Sequence, residues 1–259
     1  MIKRLGSTVR DGYIVAGRNM RHFIRQPQLL LFSTIQPIMF VLLFAFVFGG
    51  AIGGSLPAGV SYKDFLLPGI FIQSTAFRAT QTAIGLSEDM QRGVIDRFRS
   101  MPMARSAVLA GRTLADLVRN LFVILLMAAV GYAIGFRFGE GVPAAVASIL
   151  VVAMFGFSLS WIFAYVGLVS KGPEAAQSAG FIAIFPLVFA SSIFVPIDTM
   201  PSWLQTIANV SPVTAAADAA RVLAIGGTMG SSLWQVLAWT AGILLVFVPL
   251  CVRKYRRLQ

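Results

Sequence analysis

The residues of this chain that can do chemistry are few, and their types narrow the choice at once. One histidine, His22, and one cysteine, Cys251, supply neither a metal cluster nor the convergent nucleophile and base of a hydrolytic site. The dipeptide Gly-Lys is absent, and with it the Gly-x-x-x-x-Gly-Lys-Ser/Thr loop whose backbone cradles nucleotide phosphates. What remains is ionic. Arg78 and Asp116 interrupt long apolar runs, the stretch from Ser87 to Arg112 carries both signs of charge at close spacing, and Arg10, Arg18, Arg21 and Arg25 precede the first apolar run. An ion inside a membrane is expensive and tends to mark a working position. A charged stretch between apolar runs suits contact with another protein.

The elements that must position these ions are membrane spans. Of 259 residues, 57% are hydrophobic and 12% charged, where an ordinary soluble domain carries roughly 25% charge. Too little ionic surface exists to coat a globule. A bilayer core about 30 Å thick takes roughly 20 apolar helical residues, and six windows qualify, at about 29–49, 65–86, 114–136, 144–169, 178–195 and 233–252. The first is too long and too far along the chain for a cleaved signal peptide. Lys and Arg gather on cytoplasmic loops. Sixteen of the 21 fall on one side, in the leader, the second and fourth loops and the tail, and three (Lys63, Arg137, Arg221) on the other. The net charge of +11 therefore reads as a topology marker and not as a nucleic-acid signal. Both termini are expected to be cytoplasmic. The segments between spans are too short for a soluble domain, so residues 1–259 are expected to form a single all-α integral membrane domain.

Residues 8–26 read as an amphipathic interfacial helix. Val9, Tyr13, Ala16, Met20, Phe23 and Ile24 share one stripe, and Arg10, Arg18, Arg21 and Arg25 lie opposite, toward headgroups or a partner. In the second span Ser74, Arg78, Gln81, Gly85 and Glu88 share a helical stripe, which suits a polar face toward a cavity or a second chain. The structural alternative is an ion pair of Arg78 with Asp116. Phenylalanines crowd spans one, four and five, among them Phe32, Phe40, Phe44, Phe155, Phe163, Phe181, Phe185 and Phe189, and packing accounts for most residues of this kind. Gly156, Ser160, Ala164 and Gly167 are spaced to let helices approach closely.

In the charged loop, at about 88–112, Asp89, Gly93, Asp96 and Pro102 occur in an order that resembles the second cytoplasmic loop of the type-2 ATP-binding-cassette exporter permeases. Arg99, Met101 and Arg105 flank the proline turn. Beyond the fifth span, Pro196, Pro201, Trp203-Leu204, Pro212 and Thr214, closing on Arg221, resemble the family's extracellular motif, with Ser211 where Asn is usual. The subgroup most similar in size and general character is the daunorubicin/doxorubicin-resistance-like permeases.

The resemblance implies six transmembrane helices and short re-entrant extracellular helices at about 196–226. It also implies a loop that seats a coupling helix on an ATPase subunit, and an exit closed by Pro196, Pro201, Trp203, Pro212 and Arg221. The expected function is the permease half of an exporter in the cell membrane, moving drug-like or lipid-like substrates and contributing to antibiotic resistance. ATP and Mg are expected on a partner ABC ATPase dimer, and none in this chain. A second permease chain, most simply an identical copy, and membrane lipids are the other expected partners. Exporters of lipid-linked sugars or glycolipids are the alternative within the class. An ion-gradient-driven transporter calls for acids at the bilayer midplane, and none of the ten acids lies there.

Overall fold

The computed structural model describes residues 27–52, 54, 56, 60–93, 105–228 and 230–257. The expected interfacial helix with Arg10, Arg18, Arg21 and Arg25, and the loop residues Asp96, Arg99, Met101 and Pro102, lie outside the described residues.

Among the described residues the chain is helical throughout. Helix α1 (Pro27–Leu43) runs without a break through a π-helical stretch (Phe44–Phe48) into a last turn (Gly49–Ile52). Then come α2 (Tyr62–Gln91), α3 (Arg105–Ala133), α4 (Gly141–Val169) and α5 (Pro173–Phe189). A 3₁₀ turn (Ile197–Thr199) leads to the short α6 (Ser202–Val210) and α7 (Pro212–Ile225), and α8 (Ser232–Arg257) closes the chain.

The centre of the structure is α2. Its start is set by Ser61, whose hydroxyl accepts from the Asp64 amide (3.3 Å) and donates to the Asp64 carboxylate (2.6 Å), a reciprocal cap. Its end is set by Gly93, whose φ of +65° is a left-handed stop that other residues adopt at a cost. Between these ends the helix has 30 residues, about 45 Å at 1.5 Å per residue, and packs against α4, α5, α7 and α3. Gln73, Ser74, Thr75, Thr80, Thr82 and Ser87 are buried on it. These polar residues explain why α2, although long enough to span, is less apolar than its neighbours.

Gly111–Ala133, Gly141–Val169 and Ser232–Tyr255 are long and apolar enough to cross a bilayer, and Ile35–Phe48 and Pro173–Phe189 are apolar but shorter. The fifth expected span, 178–195, is displaced: α5 begins at Pro173 and stops at Phe189. Polar side chains end it. Ser191 donates its hydroxyl back to the Val188 carbonyl, and the Ser192 amide donates to Thr214 Oγ1 (3.2 Å) on α7 instead of continuing the helix.

The small residues of α4 do admit a close neighbour. A Cβ at Gly156 would stand 1.9 Å from Thr75 Cγ2, and one at Gly167 would stand 2.6 Å from the Ala83 carbonyl oxygen, both on α2. The α7 helix is held by the same means, with Ala215, Ala216, Ala217, Ala219, Ala220 and Ala224 buried and Ser148 of α4 donating to the Ala220 carbonyl (2.8 Å).

Gly167→Ala forces two backbones apart, because a carbonyl oxygen cannot rotate away as a side chain can. A loss of about 1–3 kcal/mol is expected from such overpacking, read as a lower apparent melting temperature in detergent. Gly242→Ala, which meets open space, is the matched control, and equal melting of the two variants contradicts the packing described.

Candidate functional site

Two clusters of polar side chains stand out, one at each end of α2. Toward its C-terminal end, α2 and α3 run antiparallel on either side of the charged loop. Arg78 Nε donates to Asn120 Oδ1 (3.2 Å) and Thr82 Oγ1 donates to Asp116 Oδ2 (2.7 Å), so a step of four along α2 is matched by a step of four back along α3. Arg119 Nη2 donates to the other Asp116 oxygen (2.6 Å). Nearer the loop, Arg112 pairs with Asp89 across the seam. Its guanidinium lies where a Cβ at Gly85 would be, 1.9 Å from Nη2, so the glycine leaves room for the pair.

The expected intramembrane residues are thus placed differently from one another. Ser74 is buried, Arg78 is half-buried against α3, Gln81 is exposed, and Asp116 sits at the centre of the seam. Of the expected loop residues, Asp89 is bound to Arg112, Gly93 ends α2, and Arg105 begins α3. Thr82, Arg112, Arg119 and Asn120 had not been grouped with Arg78. Pairing the two helices as an antiparallel hairpin about the loop is the signal that finds them.

The second cluster lies at the N-terminal end of α2. Arg221 on α7 is mostly covered and its guanidinium makes three bonds: Nε to the Phe65 carbonyl (2.9 Å), Nη2 to the Ser192 carbonyl (2.9 Å), and Nη1 to Asp218 (2.6 Å). Its face lies 3.7 Å from the centre of the Phe65 ring. Ser192 Oγ also donates to Asp218 (2.7 Å). A planar fork of donors makes such a junction possible. It ties α2, the turn after α5 and α7 into one body. Asp218, Ser192 and Phe65 are residues the sequence reading had not singled out.

The three prolines of the expected outer motif each stand at a start. Pro196 precedes the 3₁₀ turn, Pro201 precedes α6, and Pro212 is the first residue of α7. Ser211 caps α7 by accepting from the Val213 amide (3.3 Å), so the departure from Asn keeps the cap. On α6, Trp203, Ile207 and Val210 form one exposed stripe, Trp203 at 66%. An exposed tryptophan on an apolar stripe suits the membrane–water boundary.

Phe155 and Phe163 are core residues. Others form a connected row: Phe77 to Phe185 (5.3 Å between ring centres), Phe185 to Phe189 (5.5 Å), Phe189 to Phe194 (5.3 Å) and Phe194 to Phe44 (4.6 Å). Phe185 and Phe189 stay 47% and 45% exposed on it.

The family model for the ABC-2 type transporter matches residues 12–225. This chain belongs to the ABC-2 type transporter family. It is similar to the daunorubicin resistance ABC transporter permease protein DrrB1 of Streptomyces coeruleorubidus, 38% identical over 242 residues that cover 92% of this chain and 83% of the relative. The probable doxorubicin resistance ABC transporter permease protein DrrC of Mycobacterium tuberculosis is 28% identical over 229 residues, 87% of this chain and 80% of the relative. The putative transport permease ycf38 of Pyropia yezoensis is 26% identical over 208 residues, 77% and 68% respectively. An ABC-2 permease is a multi-pass protein of the cell membrane and a transport subunit that works with an ABC ATPase.

Replacing Arg221 removes three bonds at once and leaves Asp218 with Ser192 Oγ but without its opposite charge. Arg221→Ala is expected to lose about 1–3 kcal/mol, the range for leaving buried polar groups without a partner. Arg221→Lys is expected to recover little, because one ammonium cannot serve three acceptors in the plane of a fork. Thermal unfolding in detergent measures both, and wild-type melting of Arg221→Lys contradicts the junction.

Proposed function

We propose that this chain is the membrane-embedded half of an ATP-driven exporter that moves a hydrophobic or amphipathic substrate, drug-like or lipid-like, out of the cell. The observation that carries the proposal is the similarity to a daunorubicin resistance permease across 92% of the chain. In this reading ATP and Mg sit on a separate ABC ATPase. Two ATPase chains serve two copies of the permease, as closed two-fold assemblies are the commonest.

ATPase closure then pushes on the loop at about 88–112 through Asp96, Arg99, Met101 and Pro102, and on the leader helix with its four arginines. The push tilts α2 and α3, whose ends flank that loop. At the far end, the helices at about 196–226 dip into the outer leaflet and yield to let the substrate leave. Support for their placement comes from the exposed stripe of Trp203, Ile207 and Val210 on α6. Support for an apolar, ring-bearing substrate comes from the row of phenylalanines with Phe185 and Phe189 half-exposed on α5, since offset ring stacking adds to simple burial. Arg78 supplies a polar group at the depth where an amphipathic substrate passes.

Co-expression with candidate ABC ATPase chains, purification and assay in lipid test the proposal. The expected result is a stable complex whose ATP hydrolysis rises with added daunorubicin. Asp96→Lys in the loop is expected to weaken ATPase capture about ten-fold, equal to roughly 1.4 kcal/mol of interface energy, while membrane insertion stays normal. Failure of any ABC ATPase to bind the wild-type chain overturns the proposal.

A further inference from the structure

The seam between α2 and α3 joins the two legs of the charged loop just where they leave it. Asp89 stands two residues before α2 ends at Gln91, and Arg112 stands at the start of the third turn of α3. From this pair the contacts climb to Thr82 with Asp116 and then to Arg78 with Asn120. Arg78 lies 13 residues from the end of α2, about 20 Å along the axis.

Lipid tails are as apolar as the helices themselves, so burial alone gives little preference for one register, and close packing together with directional bonds sets it. The opposite face of α3 offers no grip either: Leu114, Val118, Phe122 and Leu125 are exposed along it. α3 also packs on α4, touches α1 and α8, and meets Leu67 of α2 at Gly131 near its far end, while the polar bonds between α2 and α3 lie in this seam. Asp116 is the middle of it, accepting from Thr82 on the facing helix and from Arg119 on its own. Arg119 supplies the opposite charge next to Asp116, at 2.6 Å.

We propose that Asp116 is a positioning residue for transport. With the Thr82 bond at its centre and the Arg112–Asp89 pair at its base, the seam locks α2 and α3 in one register. The two legs of the loop then move as a single lever, and a displacement imposed on the loop reaches the level of Arg78 without slip. The inference rests on the permease reading given above, and it adds what transmits the motion inside this chain.

The test uses the full complex of permease and ATPase in liposomes, with daunorubicin moved per ATP hydrolysed as the readout. Asp116→Ala and Thr82→Val are expected to assemble and hydrolyse ATP within about two-fold of wild type, while substrate moved per ATP falls about five-fold or more, the lower bound for a measurable coupling between sites. Asp89→Arg and Arg112→Asp are each expected to lower that ratio, and the two together to restore most of it. A residue that merely supports the fold lowers yield, hydrolysis and transport together and leaves the ratio alone. An unchanged ratio in Thr82→Val, or a double swap that recovers nothing, overturns the proposal. Wild-type complex that hydrolyses ATP and moves no daunorubicin counts instead against the permease reading itself.

Discussion

A polar group carried into a bilayer must find its partner within the protein, because lipid offers none. Helix α2 carries more buried polar side chains than any other helix among the described residues. It holds a row of buried polar residues and a half-buried arginine within one 30-residue rod. The neighbours are arranged around those needs. Glycines on α4 let its backbone come close at Thr75 and Ala83, α3 turns Asp116 and Asn120 toward Thr82 and Arg78, and α7 sends Arg221 to the Phe65 carbonyl. Remove the polar character of α2 and the helices around it lose the contacts that fix their register.

The two ends of α2 differ in kind, and the difference bears on mechanism. At its N-terminal end a single guanidinium joins α2, α7 and the turn after α5, with the Phe65 ring against it. Such a junction resists being pulled apart and makes those pieces one body. Toward the loop the polar contacts are spread over three levels along two antiparallel helices, which also touch at their far ends, where Leu67 meets Gly131. A body anchored at one end and gripped along a lever at the other is suited to pass on a push.

Much of this was legible in the residues. The apolar windows locate α3, α4 and α8 to within several residues, and the small residues of α4 do pack as their spacing implies. The fifth span was misplaced because hydropathy runs on past Phe189, while the helix stops where Ser191 and Ser192 find backbone and side-chain partners off the helix. The seam with α3, through Arg78, Thr82, Gly85 and Asp89, is centred about 50° from the polar stripe of Ser74, Arg78, Gln81, Gly85 and Glu88, at 100° per residue. One helix read alone cannot show which flank of a stripe meets a neighbour; that depends on the partner's side chains. Arg221 was legible as part of a motif, but its partners are a carbonyl 156 residues away and another 29 away, and no local pattern announces a backbone acceptor at such distance.

In the proposed mechanism the chain is a membrane body moved by ATP hydrolysis on a partner ABC ATPase. The most direct test is accumulation of daunorubicin in sealed inside-out vesicles that contain this chain and its ATPase, with a protonophore present to abolish ion gradients. The account predicts accumulation that requires ATP and is indifferent to the protonophore. Accumulation that needs no ATP and disappears when the gradient is collapsed contradicts it.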